Sequence, residues 1–64
     1  MKNYIAIVGD YEQEFKTTKK AEVKKFALQA IKDGAESVDI YYNDMSSYLG
    51  TFYADGEMPR IFKK

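Results

Sequence analysis

The sequence predicts an α+β fold: a two-layer sandwich in which an antiparallel or mixed sheet of four to five strands carries one helix on one face, in the order ββαββ. Three observations lead there. Residues 4–8, "YIAIV", and residues 37–42, "SVDIYY", have the length and apolar pattern of strands. Between them Val23, Phe26, Ala27, Ala30 and Ile31 recur at i, i+3, i+4, i+7 and i+8, one apolar stripe of a helix. Gly9-Asp10 and Asp55-Gly56 are turn dipeptides that join neighbouring strands into hairpins.

The first hairpin is read from "YIAIVGDYEQEF". A two-residue turn at Gly9-Asp10 sets Val8 opposite Tyr11, Ala6 opposite Gln13 and Tyr4 opposite Phe15, with Ile7 and Glu12, and Ile5 and Glu14, on the other side. Residues 4–8 are apolar on both sides, the pattern of an inner strand, whereas the glutamates mark residues 11–16 as more exposed. Helix signals open at Thr17 or Thr18, either of which can cap, and close at Asp33-Gly34. Phe15, just ahead of the cap, is placed to staple onto Val23. That favours the Tyr4, Val8, Tyr11 and Phe15 side as the one under the helix, against the competing claim of Ile5 and Ile7. Leu28 falls off the stripe, near the lysines.

After Gly34, Val38, Ile40 and Tyr42 alternate with Ser37, Asp39 and Tyr41, as in a half-buried strand. A polar loop leads into "YLGTFYA". Asp55-Gly56 then turns the chain, and residues 57–64 form either a short edge strand, limited by Pro59, or a frayed tail. In the strand reading Tyr53 meets Met58 and Leu49 meets Phe62.

A single domain of 64 residues buries only about 60% of the surface that its unfolded chain exposes, so its core is thin. With neither cysteine nor histidine, disulfides, ordinary zinc sites, thiol nucleophiles and histidine bases are excluded. No apolar run is long enough to span a membrane, and "MKNYIAIVGD" reaches an aspartate too early for a secretion signal. A cytoplasmic protein is the expectation. Net charge is zero, but the charges are sorted. Six lysines and one glutamate lie between Lys16 and Lys32, whereas residues 33–57 hold Asp33, Glu36, Asp39, Asp44, Asp55 and Glu57 and no basic residue.

One helix covers one face of a sheet. If Val38, Ile40, Tyr42, Leu49 and Tyr53 join its stripe, then Ile5, Ile7, Tyr41, Tyr48 and Phe52, with Ile61 at the margin, occupy the uncovered face, ringed by Glu12, Glu14 and Asp39. Apolar patches of that kind mark interfaces. The carboxylates Asp39, Asp44, Asp55 and Glu57 are weak candidates for acid and base chemistry, because aspartate beside a turn serves local hydrogen bonding. Calcium-loop spacing and phosphate-cradling glycines are lacking. Nucleic acid is disfavoured, since aromatic platforms that stack bases sit in positive surroundings and these sit among carboxylates. The expectation is a non-enzymatic protein-binding module without cofactor or metal, using Ile5, Ile7, Glu12, Glu14, Asp39, Tyr41, Tyr48 and Phe52 and pairing with a second copy.

The run "YIAIVGDYEQEFKTTKKAEVKKFALQAIKDGAESVDIYY" resembles small uncharacterised proteins of bacteria, phages and prophages, with a strand ending in "FKT", a lysine-rich helix and "DGAESVDIY" entering the next strand. The resemblance implies a ββαββ fold and residence on a mobile element, and brings no catalytic residues. Small size, sorted charge and that resemblance together suggest an inhibitor that occupies a basic site on a host protein.

Overall fold

A strand that is apolar on both sides belongs inside a sheet, and Tyr4–Val8 (β1) lies there. In the computed structural model, which describes residues 3–9, 13–43 and 45–63, β1 is followed by β2 (Gln13–Thr17), α1 (Lys20–Lys32), β3 (Ser37–Tyr42), β4 (Ser47–Tyr53) and a 3-10 turn at Arg60–Phe62. The strands form one sheet in the order β2-β1-β3-β4, antiparallel at every pairing. This is the expected α+β sandwich with the order ββαββ.

The first hairpin differs from expectation in register. Val8 pairs with Gln13, Ala6 with Phe15 and Tyr4 with Thr17, so residues 9–12 separate the strands instead of two. Asp10, Tyr11 and Glu12 lie outside the described residues. A slip of two residues preserves side-chain parity, whereas a slip of one reverses it. Phe15 therefore still shares a face with Tyr4, Ala6 and Val8, and that face is the one under the helix.

Helix α1 starts one to two residues later than the threonines suggest, with Lys19 at the N-cap and no side-chain cap. Thr17 acts from further back. Its Oγ1 accepts the Lys19 N–H at 3.1 Å and donates to Glu22 at 2.7 Å, bracing the first turn. At the other end the Gly34 N–H reaches the Ile31 carbonyl and the Ala35 N–H the Ala30 carbonyl, each at 3.0 Å. That is a Schellman stop, and Gly34 supplies its left-handed residue with φ of 112°.

Val23, Ala27 and Ala30 of the stripe are buried against Ala6, Val8, Val38, Ile40, Phe52 and Phe62. Two of the three helical residues at the contact are alanines, which bring the helix backbone close to the sheet. Aromatic rings fill the margin: Phe15 stacks on Phe26 at 4.7 Å and 13°, and Tyr4 meets Tyr42 at 4.9 Å. The staple from Phe15 thus finds Phe26 as its ring partner on α1.

Strand β4 contains the main departure. Phe52 pairs with Val38, Thr51 with Asp39 and Gly50 with Ile40, but the next pair is Tyr48 with Tyr41. Leu49 is an extra residue, and a bulge of this kind inverts the alternation beyond it. Gly50, with φ of 143°, supplies the backbone freedom. Phe52, expected on the uncovered face, is instead 1% exposed beneath the helix. Tyr53, expected under the helix, is 51% exposed on the open side, whereas Leu49 packs against the core as expected.

Among the described residues no fifth strand forms. The Tyr53 N–H donates to the Glu57 carbonyl at 2.8 Å, Pro59 comes to rest over Gly50, and the 3-10 turn delivers Phe62 into the core. Its ring lies 5.2 Å from Phe52 and 6.5 Å from Tyr4. Residues 57–63 thus close the open end of a thin core rather than extending the sheet. Ile61 is carried with them to the helix side, where it shares a cleft with Lys20, Ala21 and Lys24, not to the open face.

Candidate functional site

The face opposite α1 is built from rows of side chains across the strands. One row reads Glu14, Ile7, Asp39, Thr51; the next reads Lys16, Ile5, Tyr41, Tyr48; Ser37 and Tyr53 make a pair beyond. Ile5 and Ile7 lie on this face as expected, but each is only 2% exposed. On the inner strand Ile5 lies between Lys16 and Tyr41 and Ile7 between Glu14 and Asp39, and at 2% exposure both form its floor and not its contact surface. Phe52 is absent from it for the reason given above. Glu14 stands at the β2 edge, exposed, and Glu12 lies outside the described residues.

What the face presents is tyrosine. Tyr48 is 59% exposed, and its ring lies 5.4 Å from that of Tyr41 at an angle of 55°. The arrangement is polar as well as aromatic. Thr51, nearly buried, donates its hydroxyl proton to Asp39 Oδ1 at 2.7 Å. Its oxygen must then accept from the Tyr48 hydroxyl, with which it is in close hydrogen-bond contact. The relay Tyr48 to Thr51 to Asp39 fixes the ring and the carboxylate relative to each other. Asp39 and Tyr41 are two residues apart on one strand, so their side chains rise side by side about 7 Å apart.

Elsewhere two open clefts are lined by described residues. One, of about 520 Å³, lies between the end of α1 and the β1 end, with Asp33 and Glu36 at its rim. Asp33 accepts there from Gln29 at 2.9 Å. The other, of about 330 Å³, lies between the start of α1 and Phe62, over whose ring the Lys20 ammonium sits at 5.8 Å. Neither brings together a nucleophile and a base. No helix among the described residues is long and apolar enough to cross a membrane.

Thr51 and Tyr53 were not legible as site residues under strict alternation. The signal that finds them is Gly50: an isolated glycine inside a strand pattern marks a bulge, and once Leu49 is counted as the extra residue both fall on the open face. No family model, no curated protein and no solved structure matches the chain.

Proposed function

We propose that this is a non-enzymatic, cytoplasmic protein-binding module that engages its partner through the open sheet face. The observation that carries this reading is the tyrosine surface of Tyr41, Tyr48 and Tyr53, left uncovered by the helix, in which Tyr48 is tied through Thr51 to Asp39 and its ring packs on that of Tyr41. Tyrosine gives a stiff, amphipathic contact at little cost in conformational entropy, and interface cores are enriched in it. The sorted charge leaves the β3 and β4 half of this face with the Asp39 carboxylate and no basic residue, which suits a basic partner, including a host protein inhibited at a basic site.

Self-association uses the same face. Strands about 4.8 Å apart and rising about 3.3 Å per residue give a four-stranded face of roughly 400 Å². A standard interface takes about 800 Å² from each partner. A face-to-face homodimer of this footprint falls at the small end of stable interfaces, and a partner that also reaches past the sheet buries more.

The test is capture from an extract of the source organism on the immobilised domain, alongside Tyr48→Ala and Tyr53→Ala. Loss of a captured protein in both variants, with folding intact, supports the reading; capture unchanged in both removes the face from it. Sedimentation equilibrium at rising concentration tests the homodimer, and a strict monomer throughout eliminates it. A nucleic-acid ligand makes the opposite prediction to a basic protein: removing the Asp39 charge strengthens binding, and affinity falls steeply with salt.

A further inference from the structure

We infer that the corner formed by Asp39, Tyr41 and Tyr48 is a seat for an arginine side chain of the protein partner. This rests on the reading of the open face as a protein-binding surface and specifies the chemistry it recognises. Three features converge on it. Two tyrosine rings stand directly opposite each other across β3 and β4, tilted by 55° with centroids 5.4 Å apart, and Tyr48 is 59% exposed. Aromatic faces are negative and attract cations, guanidinium most often. Beside them Asp39 is held by Thr51, which is itself tied to Tyr48.

The carboxylate retains capacity for more. A carboxylate has about four lone-pair sites, of which Thr51 takes one. A planar guanidinium uses both parts of such a corner at once, laying its plane on a ring while its N–H fork meets the carboxylate. An ammonium is a point charge and cannot do the first. Charge complementarity points the same way: residues 33–57 contain no lysine or arginine. Among the described strand residues the one basic side chain on this face is Lys16, which lies on the far edge strand, in the row of Ile5, Tyr41 and Tyr48.

A second copy is a poor source of the group. The chain has a single arginine, Arg60, in the turn on the helix side. Docking it on the open face of another copy is a head-to-tail contact, which builds rings or open chains and not a two-fold dimer.

The experiment titrates the isotopically labelled domain with capped Gly-Arg-Gly, Gly-Lys-Gly and Gly-citrulline-Gly peptides at millimolar concentration, followed by amide chemical shifts. The expected result is saturable shifts centred on Asp39, Tyr41, Tyr48 and Thr51 for the arginine peptide, weaker ones for lysine and none for citrulline. Asp39→Asn keeps an acceptor for Thr51 and so keeps the fold, but weakens arginine binding by about tenfold, the scale of a lost charge-assisted contact. No saturable shift with arginine, equal shifts with citrulline, or binding indifferent to Asp39→Asn overturns the inference. Failure of the parent reading looks different. If Tyr48→Ala abolishes capture of a protein and Asp39→Asn leaves it intact, the face binds protein but not through an arginine; if neither matters, both ideas fall.

Discussion

Pro59 rests on Gly50 so closely that a Cβ built on the glycine meets the proline Cγ at 2.9 Å and its Cβ at 3.0 Å. The contact joins the bulge that sorts the side chains of β4 to the segment that closes the core. Gly50 also has φ of 143°, a region that side chains avoid. Gly34 has φ of 112° but nothing within 4 Å of its added Cβ. Gly50→Ala therefore adds a steric clash to a backbone cost on the order of 1–3 kcal/mol, whereas Gly34→Ala incurs only the latter. Thermal melts of both variants are expected to show the larger fall for Gly50→Ala; equal falls mean that Pro59 yields without cost.

Phe62 is the second prediction. It is buried between Phe52 and Tyr4, with Lys20 over its ring. Truncating a buried phenylalanine to alanine costs about 3–5 kcal/mol. A core in a domain this small rarely supplies more than about 3–5 kcal/mol. Phe62→Ala is expected to be largely unfolded by circular dichroism at room temperature, and Phe62→Leu to fold with a lowered melting point. A Phe62→Ala variant as stable as the parent shows that the tail is dispensable.

Thr51→Val keeps the β-branched shape and removes the hydroxyl that joins Tyr48 to Asp39. The two groups left behind reach water, so the expected loss is about 1–2 kcal/mol in urea denaturation. The Tyr48 ring should also gain mobility in NMR relaxation, because its hydroxyl no longer has a fixed acceptor. Unchanged ring dynamics contradict the relay.

Residues under the helix and residues on the open face should separate cleanly by what they affect. Tyr48→Ala removes a ring that is 59% exposed and is expected to change stability by less than about 1 kcal/mol, since surface changes are usually small. Val38→Ala, fully buried, is expected to cost more, by lost contact and a residual cavity. Denaturation of the two variants checks this. A larger loss for Tyr48→Ala assigns that tyrosine to stability instead of binding.

The parts of this fold legible in the sequence are those set by local periodicity and sterics. The stripe from Val23 to Ile31 faces the sheet, Gly34 ends the helix, and the apolar run of β1 takes an inner place. The covered side of the first hairpin was legible only in part: Phe15 ahead of the helix favoured the Tyr4 and Val8 side, whose parity survives a slip of two residues, but Ile5 and Ile7 are equally apolar and left the choice open. The rest depends on events that alternation does not encode. One extra residue at Leu49 moved Phe52 into the core and Tyr53 out of it. Residues 57–63 have too few apolar positions to show a period, and their place follows from a gap at the core's end that Phe62 fills. The floor role of Ile5 and Ile7 follows from their place on an inner strand with neighbours on both sides, known only once the strand order is.

The most direct test of the open face as the binding surface is site-specific photocrosslinking in cells of the source organism, with a benzophenone side chain at Tyr53 or at Leu28. Leu28 is a fair control, being 42% exposed on the helix. A discrete crosslinked protein from position 53 and none from position 28 is the expected result. Products from position 28 alone, or the same products from both, contradict it.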